Sequence, residues 1–230
     1  MTTGRHASIG LLALAAGAAC VFAQDSYVQI QDLHSPAPAV GDAFGTAVAL
    51  FSDDAAIATF LSETVYTYER DSDGQLVPLE TLTVAAPGAF GESLSLGGAP
   101  ATDITDFNQG VVYVYQRRTG GWRERGWLTS SDVQQLDNFG TDVDVSGDGE
   151  FFIVGVKFDD AAGSSSGGVY IFERSGSSFR EEQKLVPSTL QQGDQLGRAV
   201  AIDGDIAVVG APFATRRSDR IFEGRVWVYR

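Results

Sequence analysis

The chain has 230 residues, with 30 acidic against 16 basic side chains, a formal net charge of −14 and a pI near 4.4. That balance argues against a nucleic-acid partner, whose affinity rests on Lys and Arg neutralising phosphates, and against an anionic membrane surface. Hydrophobic residues at 43% can fill a core, so disorder is excluded too, and 27 glycines with 10% aromatics favour short strands and tight turns.

The N-terminus opens with one early cation, Arg5. An apolar run from Ile9 to Val21 follows, and small residues lead to Ala23. This order reads as a secretory signal over residues 1–23, cut after Ala23. The run is about 13 residues, against the roughly 20 that a spanning helix needs. The alternatives are an uncleaved anchor or a lipoprotein modified at Cys20, although Gly17 stands where such a motif prefers Leu. Cys20 is the only cysteine, so the chain from Gln24 onward has neither disulfide nor thiol chemistry. No later stretch is long and apolar enough to span a bilayer as a helix. Neither Asn108 nor Asn138 lies in an Asn-x-Ser/Thr sequon.

From Gln24 onward the sequence repeats. A Phe-Gly pair or its near match stands at Phe44-Gly45, Phe90-Gly91, Phe139-Gly140 and Leu196-Gly197, at spacings of 46, 49 and 57 residues. A second marker follows each: VYTYER at 65–70, VYVYQR at 112–117, VYIFER at 169–174 and VWVYR at 226–230. The units run near 40–83, 86–129, 137–186 and 193–230. Within the third, GTDVDVS alternates, EFFIVGV is more continuously apolar, and GVYIFER and FREEQKLV flank the Ser175-Gly176 turn. That is a strand, turn, strand, loop, strand, turn, strand pattern, with Gly, Asp and Ser at the breaks.

A four-stranded unit of this size cannot bury its own faces, whereas radial packing of several can. The expected fold is therefore all-β, a β-propeller of about four antiparallel blades. Each Phe would wedge between blades, and Tyr66, Tyr113, Tyr170 and Trp227, which recur at one strand position, read as inter-blade packing. SYVQIQDL at 26–33 resembles the fourth strands, and the sequence ends on a third strand. The N-terminal segment is thus expected to complete the last blade and close the ring. The rival expectation is an open arc of a larger propeller.

These repeats resemble the FG-GAP family, known from integrin α-chain propellers and from secreted bacterial and protist proteins. The fourth unit carries the resemblance best: DQLGRAVAIDGDIAVVGAPF, with Gly210-Ala211-Pro212 after its second strand, then GRVWVYR. The third keeps Phe139-Gly140 but has Val156-Lys157 in place of Ala-Pro, and the second has Gly98-Ala99-Pro100. The resemblance implies an extracellular or cell-surface binding or adhesion module with a protein or glycan partner. It also implies calcium, held between the first two strands of a blade in a loop like D-x-D/N-x-D/N-G-x-x-D. Hard oxygens at alternate positions suit that ion. The third unit offers Asp144, Ser146 and Asp148, then Gly149, but Phe152 replaces the closing Asp. This segment is either a calcium loop or a solvated β-turn. Asp71-Ser72-Asp73-Gly74 occupies a hairpin position and reads as a turn.

A ligand is expected on the face carrying the loops after each second strand, since loops carry function on rigid scaffolds. These loops are 101–109, 157–167 and 213–224. They supply Asp103, Asp106, Asp159 and Asp160, and one basic cluster, Arg216, Arg217 and Arg220, suited to a carboxylate or sulfate. Catalysis has little to work with. After the signal the only histidine is His34, no G-x-S-x-G elbow occurs, and only carboxylate chemistry of the glycosidase kind remains. The expectation is a non-catalytic binding module. The alternatives are a structural repeat protein without a discrete ligand and, third, a carboxylate-dependent glycoside hydrolase.

Overall fold

The computed structural model describes residues 29, 31–59, 64–83, 94–97, 101–106, 110–132, 134, 136–215 and 222–230. The signal segment 1–23 and most of the expected closing strand 26–33 lie outside them; residues 29 and 31–33 belong to no strand. The chain divides into Met1–Asp32 and Leu33–Arg230, and the fold is that of the second unit.

Fifteen strands and no helix are present among the described residues. They form four antiparallel sheets, each joining strands in chain order. Blade 1 holds β1 (Val48–Phe51), β2 (Asp54–Thr59), β3 (Thr64–Arg70) and β4 (Leu76–Thr83). Blade 2 holds β5 (Leu94–Gly97), β6 (Ala101–Asp106), β7 (Val111–Arg118) and β8 (Gly121–Leu128). Blade 3 holds β9 (Phe139–Val145), β10 (Phe151–Val156), β11 (Gly168–Ser175) and β12 (Ser178–Leu185). Blade 4 holds β13 (Ala199–Asp203), β14 (Ile206–Ala211) and β15 (Arg225–Tyr229). The four VY-type markers are the third strands. The bulge between third and fourth strands recurs at one place, after Thr67, Val114 and Ile171. The blades are thus copies in register as well as in sequence.

Two expectations about blade 2 are corrected. Residues 101–106 are strand β6 rather than loop, paired to β5 and β7. Gly98-Ala99-Pro100 therefore falls between the first and second strands, not after the second. The alternating ATDITD segment occupies the second-strand position that the apparent motif had claimed.

The turn into three of the blades follows one design. Asp42, Asp137 and Asp194 stand two residues before Phe44, Phe139 and Leu196. Each carboxylate accepts the amide three residues upstream, from Ala39 at 3.3 Å, Gln134 at 2.7 Å and Gln191 at 2.9 Å. The intervening Ala43, Asn138 and Gln195 take positive φ, 47°, 56° and 55°. A side-chain oxygen closing a short turn is what makes Asp common at such places.

The innermost strands β1, β5, β9 and β13 lie side by side, each blade packed on the next in propeller-like succession. Three apolar clusters fill the seams. Ala56, Ala58, Val65 and Leu82 meet Tyr115 and Trp122 between blades 1 and 2. Val112, Val114 and Leu128 meet Phe139, Val143, Val145 and Tyr170 between blades 2 and 3. Ile153, Val169 and Leu185 meet Leu196, Val200, Ile202 and Val209 between blades 3 and 4. Each such side chain taken fully from water contributes roughly 1.5–3 kcal/mol. Backbones also touch at the seams. A Cβ on Gly155 would lie 1.9 Å from the Gly197 carbonyl oxygen, so only glycine allows this approach.

Candidate functional site

The loop after β10 and the linker into blade 4 form one wall of a cleft. Ser164, Ser165 and Ser166 carbonyls accept the amides of Gly193 at 3.0 Å, Gln195 at 3.3 Å and Leu196 at 2.9 Å. This short ladder sets the 164–166 loop alongside 193–196. The opposite wall is the loop after β14, where Thr215 bridges Phe222 and the Ala214 carbonyl accepts the Glu223 and Gly224 amides. Between them lies a cleft of about 620 Å³, lined by Ser164, Ser165, Gln191, Gln192, Phe213 and Phe222 among others. Phe213 and Phe222 meet edge to face with centroids 5.6 Å apart. The Arg198 guanidinium lies 5.5 Å from the Phe213 ring centroid and donates to Gln195 Oε1 at 3.0 Å. Phe222 is 66% exposed. An exposed aromatic ring, backed by a half-buried one and beside amide and hydroxyl groups, can stack on an apolar ring face while those groups hydrogen-bond its polar rim.

The acidic residues expected in the ligand loops do other work. Asp103 and Asp106 are in β6, not in a loop. Asp159 is buried, 3% exposed, and its Oδ1 accepts the Ala161 amide at 2.8 Å. Its Oδ2 accepts from Lys184 Nζ at 2.7 Å and lies 2.9 Å from the Tyr170 hydroxyl. Lys184 also donates to Asp132 Oδ2 at 2.8 Å, and the Tyr170 hydroxyl reaches Asp132 Oδ1. Burial and the neighbouring Asp132 push the Tyr170 hydroxyl pKa upward. Burial works against the Lys184 charge, but its hydrogen bonds to both aspartates outweigh that and hold its pKa above the usual lysine value. Asp159 is therefore an internal strut between a loop and the fourth strand, and it is corrected from the ligand set. Asp160 is exposed, but its Oδ1 accepts the Ser165 amide at 2.7 Å, which shapes the cleft wall. Arg216, Arg217 and Arg220 lie outside the described residues, between Thr215 and Phe222 in the sequence.

The calcium expectation is also corrected. Asp144 does not face Ser146 and Asp148. Its Oδ1 accepts from the Ser95 hydroxyl of blade 2 at 2.6 Å, and its Oδ2 accepts the Ile202 amide of blade 4 at 2.8 Å. Asp142 does the same toward the Val200 amide at 2.8 Å. The Ser146 hydroxyl donates to Asp148 Oδ1 at 2.6 Å and accepts the Phe151 amide at 3.0 Å, which closes a β-turn. That hydrogen bond from Ser146, with the Glu150 amide, holds the Asp148 pKa below the usual carboxylate value. Asp144 is engaged across two seams, by Ser95 and Ile202, while Ser146 and Asp148 hold each other and close a turn, so these residues do not fit a calcium cage. Among the described residues no cluster of three acidic, His or Cys side chains is arranged to hold a metal. Asp71 likewise accepts the Asp73 and Gln75 amides, both at 2.9 Å, as a hairpin turn should.

Sequence reasoning missed Phe213 and Phe222. Their signal was present: two aromatics flanking the basic loop, off the strand alternation. It also missed the turn aspartates Asp42, Asp137 and Asp194, whose repeated place before the Phe-Gly position marks them.

The family model described as FG-GAP repeat matches residues 122–172 and 179–229. Residues 122–172 and 179–229 carry FG-GAP repeats. Each match begins at an outer strand, β8 or β12, and runs through the first three strands of the following blade. The sequence repeat is thus offset from the blade by one strand. No curated protein matches the chain. Among solved structures, Saccharomyces cerevisiae Sqt1 is similar at 11% identity and a TM-score of 0.52, over 76% of this chain and 44% of that one. A Lactobacillus plantarum protein is similar at 16% identity and a TM-score of 0.49, over 80% and 55% respectively. A putative 6-phosphogluconolactonase of Bacteroides fragilis is similar at 13% identity and a TM-score of 0.44, over 61% and 36%. The chain spans about half or less of each of these proteins. At such identity the likeness to Sqt1 concerns fold alone.

Proposed function

We propose that this chain is a secreted or cell-surface, non-catalytic FG-GAP binding module that takes a glycan or an extracellular protein in the cleft between blades 3 and 4. The observation that carries the reading is the exposed Phe222, packed edge to face on half-buried Phe213 and set against Gln191, Gln192, Ser164 and Ser165. Secretion is supported by the signal-like N-terminus and the family resemblance. No helix among the described residues is long and apolar enough to cross a membrane. The non-catalytic reading rests on the sequence, where His34 is the only histidine after residue 23 and no G-x-S-x-G elbow occurs. Asp194 is the one carboxylate among the cleft's described lining residues, it is buried, and it accepts the Gln191 amide. Glycoside hydrolysis requires a facing pair.

The test is a screen of the purified protein against glycans and extracellular proteins, repeated with Phe222→Ala and with Arg216→Ala plus Arg217→Ala. Phe222 is exposed, so its truncation leaves the fold intact. Loss of its stacking area should weaken a genuine ligand about tenfold or more. A blank screen would favour the structural-repeat alternative. Turnover of a chromogenic glycoside would overturn the non-catalytic reading.

A further inference from the structure

Blade equivalences show two faces that the described residues leave uncovered. Position by position, Val226 and Val228 of β15 match Val169 and Ile171 of β11, and Val112 and Val114 of β7. Val112, Val114 and Val169 are 0% exposed because the following blade covers them. Val226 and Val228 are 67% and 66% exposed. With the exposed Ala199, Ala201 and Ile206 they make an apolar face across three strands, with Asp203 at its end. At the other end, Val48 and Leu50 of β1 match Val143 and Val145 of β9. The latter pair is 3% and 4% exposed against the preceding blade, whereas Val48 and Leu50 are 67% and 60% exposed. Among the described residues the two faces therefore do not cover each other.

Glycine placement points the same way. Gly155 must be glycine because the Gly197 carbonyl of the next blade presses on it. Its counterpart Gly210 has no such neighbour; the nearest atoms to a Cβ there belong to Ala199 at 3.6 Å. Gly210 is not at positive φ either, so neither backbone nor packing within the chain calls for glycine. A glycine inside a strand also costs stability relative to alanine. At the opposite face Gly45, the counterpart of Gly197, has nothing within 4 Å of a Cβ, while Gly197 is wedged against Gly168, Val156 and Gly155. Both halves of an inter-blade seam are present, one at each end.

We infer that the chain associates head to tail with a second copy of itself, the Val226–Val228 face of one copy receiving the Phe44-Gly45 turn and the Val48–Leu50 strand of the other. The partner is a second copy because blade 1 carries the side chains and glycine that the seams between blades 2, 3 and 4 use. A contact between two different faces either closes into a ring or extends as a filament. By the same equivalence the incoming turn would run beside Phe222 and Glu223, at the far wall of the cleft, so ligand binding is measured at concentrations where the chain is a single copy, and the two readings then fail separately.

The experiment is the mass of the full chain in solution, by light scattering and sedimentation, from nanomolar to millimolar concentration. The expected result is a concentration-dependent rise in mass. Val226→Asp with Val228→Asp should weaken it about 100-fold, and so should Val48→Asp with Leu50→Asp. These side chains are exposed in the single copy, so the melting transition of the separated copies should not move. Each double variant keeps one good face. Mixing the two should therefore restore a dimer and nothing larger. Gly210→Val should abolish association with the fold retained. A single-copy mass at every concentration would overturn the inference, and so would association that persists in both double variants or a mixture that grows beyond the dimer.

Discussion

Blades 3 and 4 share a backbone plan and differ in what they do with it. Both turn after the second strand in the same way. The Asp159 amide donates to the Val156 carbonyl as the Ala214 amide donates to that of Ala211, and the Asp159 and Ala214 carbonyls then accept the Gly167 and Gly224 amides. The side chains on that plan diverge. Blade 3 has Asp142 and Asp144 where blade 4 has Ala199 and Ala201, and Asp159 where blade 4 has Ala214. Blade 3 also has a fourth strand, which brings Lys184 to Asp159. These three carboxylates serve as internal connectors: two clip the strand of the next blade, and one ties a loop to an outer strand. Blade 4 has lost these connectors, and its outward face is apolar and open. The same alternating pattern is core in one blade and surface in the next, and the presence of a following blade decides which.

The strongest way to break this comparison is one methyl group placed at equivalent positions. Gly155→Ala puts a Cβ 1.9 Å from a backbone oxygen that belongs to packed blade 4. The seam must open, and the loss should exceed about 4 kcal/mol, the range reserved for core overpacking and backbone clash. Gly210→Ala meets nothing closer than 3.6 Å. In the single copy it should stabilise slightly, by about 0.5 kcal/mol, through reduced freedom of the unfolded chain. Denaturant melts at low protein concentration measure both. Equal losses would mean that the seams are not where these blades are held.

The connectors come next in size. Lys184→Met leaves Asp159, 3% exposed, as a buried carboxylate without its cation, and should cost about 3 kcal/mol at neutral pH. Tyr170→Phe removes one hydroxyl from the same group and should cost about 1 kcal/mol. The folded pKa of Lys184 is raised, so its contribution is whole below the unfolded value of about 10.4 and is lost as pH rises through the folded one. Burial raises the tyrosine hydroxyls as well, Tyr115 to about 12, and they resist ionisation only while folded. Stability should therefore fall from about pH 10 upward, and Lys184→Met should flatten part of that fall. A Lys184→Met profile parallel to the parent's would remove the ion pair from the account.

How much of this was legible beforehand follows from the same two blades. The blade repeat and the third strands could be read because β-branched and aromatic residues recur at fixed places, and a four-stranded unit cannot bury itself. The carboxylates were misread because an aspartate in a loop or at a strand end looks the same whether it meets water, calcium or a neighbouring amide. Asp144 illustrates this. Its partners, Ser95 and Ile202, lie 49 and 58 residues away, on two other blades. No local spacing encodes such a contact. Blade 2 shows a complementary failure, where Gly98-Ala99-Pro100 matched a motif but the alternating ATDITD segment took the strand. The cleft was missed because its aromatics stand outside the alternation that revealed everything else.

The finest test concerns Asp142, which separates the charge of a connector from its hydrogen bond. Its carboxylate accepts the Val200 amide, yet burial, with Asp144 nearby, raises its pKa above the ordinary aspartate value. The sign is opposite to that of a salt-bridged aspartate. Where the folded pKa is the higher one, the folded state holds the proton more tightly, and stability from this group falls as pH rises from the unfolded value through the folded one. At neutral pH the charge is therefore a cost, and the accepted hydrogen bond is the benefit. Asp142→Asn keeps an oxygen for Val200 and removes the charge. It should gain a little at pH 7, under about 1 kcal/mol, and nothing below the unfolded aspartate pKa of about 3.9. Asp142→Ala leaves the Val200 amide unpaired at the seam and should lose about 1–3 kcal/mol at any pH. Melts of the two variants at neutral and acid pH measure the difference. If Asn loses as much as Ala at neutral pH, the charge itself holds blade 4, and blade 3 differs from its neighbour by electrostatics rather than by a shared hydrogen bond.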